Sequence, residues 1–411
     1  MNVKWYRNTT LIEDQTYTVD SSTYFCDTQV QAYNKIVITI NNMTKANRFL
    51  KIYNITDGIT RLFFNDELEN IEIIEEITNN NKALNINQAE LTLLPLTTTG
   101  VLFQRTLPFS IYRNGDLYGK FFVESSTSNA DKNIYNLKIS DYIAILDSQT
   151  YLGGIQNNVA VSSLVADILG DIPYTLDATL GAYTVRGYLP ILTKREALRQ
   201  VAFCIGAYVD TSRADTIVIN PLPTTESEAL DESEILHIDT TQSNIVTTIE
   251  LNTEKLTTTN ASTSEIYNQA LNGTEYVMFD SPKFDLTITG GSIVASNCNY
   301  AIISGTGGTV VLKGKSYEKI ETTQTKQNEF AVSTDLEKIE SYSTTLVCNN
   351  IDILDYLRFV EYTIKSKFKM GDIKVGDLIS LNGKTSRVLS LSYNISQTEI
   401  YADAELEAYY E

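Results

Sequence analysis

The sequence predicts a mainly β protein that carries an α+β insert, and three observations lead to this class. The 411 residues include 25 Tyr but only 7 Pro, and Thr and Asn are frequent, a composition that favours strands. Candidate strands bounded by Asn, Asp or Gly follow one another through both ends of the chain. Apolar residues at helical spacing are concentrated near the middle. At about 100–200 residues per domain, we expect about two to four domains.

Residues 1–150 are predicted to be a succession of strands. The candidate strands are YTVDSSTYFC, NKIVITI, RFLKIYNI, LENIEIIEEI, AELTLLPL, LPFSIYR, DLYGKFFVESS and YNLKISDYIAIL. Asn114 and Gly115 predict a two-residue type I′ hairpin, because both residues tolerate positive φ. Short antiparallel strands with regular turns indicate a barrel or a sandwich. We assign 1–60 to an N-terminal β segment and 61–150 to a first β-barrel domain.

Residues 151–235 predict a small α/β insert domain. A short helix is expected over 162–169, and Thr193 with Glu196 predicts a capping box, in which each side chain satisfies a backbone N–H of the other. The apolar stripe of the following helix consists of Ala197, Leu198, Val201, Ala202 and Ile205. Gly206 marks the expected end of this helix. TVRGYLP, AYVDTS and DTIVINPLP are the candidate strands of this part, and the helix should pack on a small sheet.

After an acidic segment the chain returns to β structure. Residues 214–254 contain nine acidic residues and no Lys or Arg, and their densest part, which follows two prolines, predicts an exposed linker and a domain boundary. Strand patterns over 236–345 predict a second β-barrel domain. A helix over 352–368 and C-terminal strands, all within 346–411, would complete that barrel. Asn382-Gly383 predicts another hairpin. The order of β domain, insert and β domain suggests a duplicated barrel.

Composition limits the function classes. The net charge of −19 disfavours specific nucleic-acid binding, because neutralising phosphates requires a surplus of Lys and Arg. The charge fits either simple solubility or a surface past which nucleic acid slides without sticking. No segment approaches the roughly 18 consecutive apolar residues of a membrane span. The N-terminus, MNVKWYRNTTLIEDQ, lacks the apolar core of a signal peptide, so we expect a soluble chain made in a cytosol, without membrane insertion.

The residues predict no catalytic, cofactor-binding or metal site, and no cofactor. The four cysteines, which are far apart in the sequence, are Cys26, Cys204, Cys298 and Cys348. A zinc site needs clustered ligands, and the chain has a single histidine, His237, in a polar stretch that predicts a solvated side chain. Cys204 lies on the apolar face of the predicted helix, which indicates a buried free thiol. Glu75 and Glu76 are adjacent on a predicted strand and should point to opposite faces, which argues against a catalytic pair.

Two further features have structural explanations. The glycines at 290–291 and 305–308 predict turns, since neither group opens a helix after a strand, as a phosphate-binding loop would. Arg195 and Glu196 are explained by helix capping and by a place on the helix surface.

Residues 142–223 and their neighbours carry a resemblance to a known family. The segments that carry it are SDYIAILDSQTYLGGI, VADIL, IPYTLD and GYLPILTKREALRQVAFCIGAYVDTSRADTIVI. They resemble the baseplate hub, or tail-tip, proteins of bacteriophages of Gram-positive hosts, including the hubs of phage-tail-like R-type bacteriocins. Upstream, FQRTLPFSIYRNGDLYGKFFVES is similar to the first barrel of that family. Downstream, FDSPKFDLTITGGSIVASNCNYAIISGT and KVGDLISLNGKTSRVLSLSY are similar to its second barrel.

The resemblance implies a trimeric ring in which each subunit contributes two tube-like β-barrels flanking the α/β part, so that three chains imitate a six-fold ring. One face would meet the tail tube protein or a tube initiator, and the other would receive a trimeric spike. The implied partners are two further copies of the chain, the tube, the spike, other baseplate proteins and a tape measure protein. The implied location is the tail baseplate of a virion or bacteriocin particle, assembled in the bacterial cytoplasm.

The family pattern leaves alternatives open. The chain stops at Glu411, soon after the second barrel, which favours a compact hub of a contractile tail with a separate spike and without enzymatic activity. Residues 1–60 fit the family pattern poorly. A tail-associated peptidoglycan hydrolase and a host-surface-binding tail-tip protein that uses exposed tyrosines are the alternatives.

Overall fold

A computed structural model gives the fold of most of the chain. It describes residues 1–19, 28, 30, 33–40, 63, 65–78, 80, 82–94, 108–129, 134–226, 228–230, 232–242, 245–259, 261–331, 338–381, 384–396 and 398–410. Cys26, the strand expected at 48–55 and the hairpin expected at Asn382-Gly383 lie outside these residues. The chain divides into two compact units, Met1–Phe63 and Phe64–Glu411.

The first unit contains a small antiparallel sheet. Its strands are β1 (Asn2–Arg7), β2 (Thr10–Thr16) and β3 (Lys35–Thr39), in the order β2-β1-β3. Val3 and Trp5, which are two residues apart on the central strand, are both buried, as the period of a strand requires. The strand expected at 34–40 is confirmed, and β1 and β2 lie before YTVDSSTYFC, the first candidate strand of the predicted N-terminal β segment.

Among its described residues up to Ser140, the second unit contains five strands. They are β4 (Leu68–Glu76), β5 (Gln88–Leu93), β6 (Pro108–Arg113), β7 (Asp116–Asn129) and β8 (Ile134–Ser140). The hairpin expected at Asn114 and Gly115 is confirmed, since both residues have positive φ, at 54° and 96°, between β6 and β7. The strand expected to run on through YIAIL is wrong. Asp141 caps a helix there by accepting a hydrogen bond from the Ile143 amide at 2.9 Å.

Helices and short strands alternate in the next part of the chain. The elements are α1 (Tyr142–Asp147), β9 (Thr150–Tyr151), β10 (Gly154–Ala160), α2 (Val161–Leu169), β11 (Tyr174–Leu176), α3 (Ala178–Ala182), β12 (Thr184–Leu189), β13 (Leu192–Thr193), α4 (Lys194–Ile205), β14 (Ala207–Asp210) and β15 (Ile217–Pro221). The two expected helices are confirmed as α2 and α4, and Gly206 ends α4 in the left-handed conformation. Leu146, Leu164 and Leu198 join α1, α2 and α4 in one buried core.

The remaining elements are mostly strands. They are β16 (Glu228–Ala229), β17 (Ile235–Gln242), β18 (Thr248–Thr257), β19 (Thr263–Met278), β20 (Lys283–Thr289), β21 (Gly291–Ser296), β22 (Tyr300–Ser316), β23 (Glu318–Gln327), β24 (Ile339–Thr344), β25 (Leu346–Cys348), α5 (Ile353–Tyr356), β26 (Val360–Lys369), β27 (Leu378–Leu381), β28 (Lys384–Asn394) and β29 (Tyr401–Tyr409). The turn expected at 290–291 is confirmed at Gly290, where φ is 76°. The turn expected at 305–308 is wrong, because these glycines lie within β22.

The helix expected over 352–368 is wrong for most of its length. Only α5 is helical, and β26 follows it. Lys365 and Lys367 of β26 form ion pairs with Glu405 and Asp403 across the ladder to β29, at 3.3 and 2.8 Å. These cross-strand pairs and the burial of alternate residues favour the strand.

One sheet of eleven strands joins the two ends of the second unit. Its main order is β17-β26-β29-β28-β4-β5-β8-β7-β6, and β27 and β16 extend it from β28. The antiparallel pairing of β4 with β28 joins strands of the two barrels that the sequence predicted into a single sheet. The acidic segment is not a loop throughout, since β16 and β17 are part of this sheet.

Smaller sheets lie beside the large one. They have the orders β10-β12-β25, β11-β15-β14, β9-β13 and β23-β18-β24, and a four-stranded sheet contains β19, β22 and β20 with β21 paired to β22. The four-stranded sheet has its own buried cluster, to which Leu271, Ile303 and Leu312 contribute.

Candidate interaction surface

The side chains that could take part in catalysis do not come together in one site. His237 on β17 is exposed and lies 2.8 Å from the Asp239 carboxylate, so it is solvated as expected. Glu75 is buried and Glu76 is exposed on β4, so the two carboxylates point to opposite faces, also as expected. Within the described part of the chain, no three His, Cys, Asp or Glu side chains are grouped so that they could hold a metal ion.

Arg195 and Glu196 have structural partners. The Arg195 Nε donates to the Leu84 carbonyl at 2.7 Å, which ties α4 to the segment before β5. Half of the expected capping box is present, because the Thr193 hydroxyl accepts from the Glu196 amide at 3.2 Å. The Glu196 carboxylate binds the Arg199 guanidinium, at 2.8 Å from its Nε, rather than reaching back to the amide of the cap.

A buried polar cluster fastens the part of the chain that contains α1 to α4, which we call the helical part, to the large sheet. Asp141 accepts hydrogen bonds from the amides of Ile143 and Asn87, at 2.9 and 3.0 Å, and from the Thr211 hydroxyl. The Asn87 side chain donates to the same hydroxyl at 2.9 Å. Burial raises the pKa of Asp141 to about 6, although these hydrogen bonds favour its ionised form. The cluster links β5, α1 and the turn after β14, and it holds them in one arrangement.

A second buried acid lies where β4 meets β28. Glu75 Oε1 accepts a hydrogen bond from the Tyr393 hydroxyl at 2.8 Å, while Oε2 has no hydrogen-bond partner among the described residues. Burial raises the pKa of Glu75 to about 7, and the nearby Arg213 opposes that rise. The Arg213 guanidinium also lies 5.7 Å from the ring centre of Tyr118 on β7. The contact between β4 and β28 therefore contains a buried hydrogen bond and a buried carboxyl group.

Two asparagines attach the four-stranded sheet to the helical part. The Asn299 amide donates to the carbonyls of Leu152 and Leu189, at 2.8 and 3.0 Å, and its oxygen accepts from the Tyr188 hydroxyl at 2.8 Å. The Asn297 amide donates to the Gly153 carbonyl at 3.0 Å. Gly153 has a φ of 64°, and a Cβ there would lie 2.1 Å from the Leu189 carbonyl oxygen, so only glycine fits this joint.

The sheet held in this way exposes a face without charge, which we call the uncharged face. It consists of Thr274, Tyr276 and Met278 on β19, Tyr300, Ile302 and Ser304 on β22, and Ser292, Val294 and Ala295 on β21. Directly paired residues of an antiparallel ladder point to the same side, and the Ser292 and Ser304 hydroxyls lie 2.9 Å apart, which fixes this face. The opposite side of the same strands covers the buried cluster of the sheet.

The uncharged face presents large apolar side chains to solvent. Met278 is 59% exposed and Val294 is 62% exposed. The rings of Tyr276 and Tyr300 stack with centroids 4.9 Å apart. Val294 lies in a bulge, where the register of β21 shifts against β22, and the bulge turns its side chain outward. Exposed apolar patches of this kind mark protein interaction sites.

Sequence reasoning did not single out this face. The runs TEYVM and NYAIIS contain a single charged residue, Glu275, but their composition alone does not tell which side of a sheet is covered. Cys204 was correctly expected to be a buried free thiol, and Cys298 and Cys348 are buried and free as well. Among the described residues, no helix has the length and apolar character needed to cross a membrane.

Comparisons with known proteins were made at the level of sequence and of structure. No family model and no curated protein matches the chain. A tail protein from Neisseria meningitidis aligns at 10% identity and a TM-score of 0.48, over 83% of this chain and 92% of its own. A prophage tail protein from Listeria monocytogenes aligns at 11% identity and 0.48, over 84% and 89%. A 43 kDa tail protein of prophage MuSo2 from Shewanella oneidensis aligns at 10% identity and 0.45, over 82% and 94%. All three of these structural neighbours are tail proteins.

Proposed function

We propose that this chain is a structural hub of the baseplate of a phage tail or of a contractile phage-tail-like bacteriocin. As a homotrimer it would adapt the six-fold tail tube to a three-fold spike. Its two barrel parts, 61–150 and 236–345 with 346–411, would stand on either side of the insert, 151–235. The proposal rests on the resemblance carried by 142–223 and on one observation of the fold.

That observation is the direct pairing of β4 with β28. A chain that imitates two subunits of a six-fold ring must hold its two halves at a fixed spacing, and three such chains then supply six similar parts. The ladder places Ile73 opposite Tyr393 and Glu75 opposite Leu391, so the strands before and after the helical part lie side by side. The Tyr393–Glu75 hydrogen bond is buried at this seam. A sheet continuous across the two halves provides that fixed spacing.

The buried joints support a structural role further. The Asp141 cluster and the Asn299 contacts hold the helical part against the large sheet and against the four-stranded sheet. Buried polar groups that have hydrogen-bond partners favour a single arrangement of the segments that they join. Such rigidity would suit a protein that holds a tube and a spike in fixed positions. The partners proposed are the tube protein or a tube initiator, the spike, other baseplate proteins and a tape measure protein.

The test combines the mass of the free chain with its place in the particle. Mass photometry should show a particle of three chains, alone or after addition of the tube and spike proteins encoded with it. Electron microscopy of particles that carry a tagged chain should place the tag on the tail axis, between tube and spike. A chain that stays monomeric with both proteins present, or a tag found away from the axis, would overturn the proposal. Cleavage of purified peptidoglycan, abolished by one carboxylate substitution, would favour the hydrolase instead.

A further inference from the structure

We propose that the uncharged face of the four-stranded sheet is the surface through which one copy of this chain contacts the next. This inference rests on the proposed trimer and names the surface that holds it together. Tyr276, Met278 and Val294 are its exposed apolar side chains. Aromatic side chains and Met are enriched at the centres of protein interfaces, and charged residues are depleted there.

The choice of a second copy follows from charge. Each chain carries a net charge of −19, so two copies repel each other wherever their carboxylates come close. A contact between copies is therefore favoured where the surface has no charge. A positively charged partner would instead gain most from acidic surface positions, such as the exposed Glu226.

The distribution of charged side chains within the four-stranded sheet supports the same partner. Its other half carries charged side chains, with Glu265 opposite Lys313 in the ladder and an ion pair of 2.7 Å between Lys315 and Asp285. On the side that bears the uncharged face, charge is missing from the half that contains β21, and Glu275 of that half pairs with Ile303 and points to the opposite side. The absence of charge is thus local to one surface of the sheet.

The contact is made by side chains rather than by strand addition. The bulge at Val294 interrupts the regular course of β21, and such bulges hinder the pairing of an edge strand with another chain. The stacked rings of Tyr276 and Tyr300 form a stiff apolar platform, which loses little conformational entropy when it is covered.

The test introduces a charge into the uncharged face. Met278→Glu and Val294→Glu place a carboxylate at exposed positions, so the fold should be retained and the midpoint of thermal unfolding should change little. We expect each variant to weaken self-association about tenfold or more, as seen by mass photometry over a dilution series. The matched control is Leu236→Glu on β17, since Leu236 is also 59% exposed but lies outside the face, and it should leave assembly unchanged.

Salt provides a second, independent measurement. Raising the ionic strength from about 0.01 M to about 1 M shortens the Debye length from about 30 Å to about 3 Å, which removes the repulsion between whole chains. Self-association through an uncharged face should therefore become stronger with salt. Weakening by salt would indicate ion pairs at the interface and would overturn the inference.

The remaining outcomes separate this inference from the proposed function. A wild-type trimer that neither glutamate variant weakens overturns the inference and leaves the hub proposal intact. A trimer that survives while binding of the spike or tube protein is lost assigns the face to that protein and overturns the inference as well. The wild type could also bind purified host cell-wall glycan while Met278→Glu does not, with assembly unchanged in both. That result would assign the face to the glycan and overturn the inference. A wild-type chain that stays monomeric at all concentrations, with the tube and spike proteins present, overturns the trimer itself.

Discussion

Replacing the buried carboxylate of Glu75 by an amide should make the protein more stable in neutral and alkaline solution. Glu75 is 1% exposed, and one of its oxygens accepts from the Tyr393 hydroxyl while the other has no hydrogen-bond partner among the described residues. Gln keeps the shape of the side chain and the acceptor for Tyr393, but it removes a charge that burial disfavours. The exchange therefore separates the contribution of charge from that of packing.

The pKa of Glu75 sets the magnitude and the pH window. Burial raises this pKa from 4.5 in the unfolded chain to about 7 in the folded one, so the folded state holds the proton more tightly. The stability that this proton provides is complete below pH 4.5 and is lost as the pH rises through 7. At about 1.4 kcal/mol per pKa unit, the ionised carboxylate lowers the free energy of unfolding by about 3 kcal/mol at pH 8. Glu75→Gln should recover most of that loss, less about 1–2 kcal/mol if the new amide finds no acceptor.

Denaturant titrations at pH 5 and pH 8 measure this effect. The wild type should lose stability between the two values, and Glu75→Gln should lose less. The matched control is Glu76→Gln on the same strand, whose side chain is exposed and which should leave the pH dependence unchanged. Burial also raises the pKa of Asp141 to about 6 and that of Glu407 to about 7, so part of the wild-type slope should persist in Glu75→Gln. Equal slopes for the wild type and Glu75→Gln would refute the reasoning.

Three further substitutions probe the joints of the fold. Gly153→Ala should lower the free energy of unfolding by about 2 kcal/mol or more, because φ is positive and a backbone oxygen occupies the place of the new Cβ. The control is Gly308→Ala, since Gly308 has open space around it. Equal losses of stability in the two variants would contradict this account. Asn299→Ala leaves two carbonyls without their donor and should cost about 2–4 kcal/mol. In Asn299→Ala, backbone amides of the four-stranded sheet should exchange hydrogen faster than those of the large sheet. Equal acceleration in both sheets would contradict this prediction. Thr193→Ala removes the cap of α4 and should cost about 1 kcal/mol by thermal unfolding, and an unchanged midpoint would show the cap to be dispensable.

Features with a local cause could be predicted from the sequence. The hairpin at Asn114 and Gly115 depends on the φ angles that these two residues tolerate, and the end of α4 depends on Gly206 in the same way. The opposite directions of Glu75 and Glu76 follow from the period of a strand. Each of these predictions required only the interactions of neighbouring residues.

The helix expected over 352–368 shows where local reasoning stops. Val360, Ile364 and Phe368 are four residues apart, and this spacing places them on one face of a helix and also on one face of a strand. The decision came from β29, which supplies the hydrogen bonds of the ladder and the acids that pair with the lysines of β26. That partner lies about forty residues away in the sequence, so the local pattern could not choose.

The sequence alone was enough to predict the mainly β class, the helices α2 and α4, the end of α4 at Gly206, and the lack of a surplus of positive charge. These properties follow from composition and from interactions between near neighbours. The tertiary structure decided that β4 pairs with β28, that Glu75 is buried at this seam, and that the uncharged face of the four-stranded sheet is left open. Such features depend on which distant segments meet, because burial, pKa and exposure are set by neighbours in space rather than along the chain.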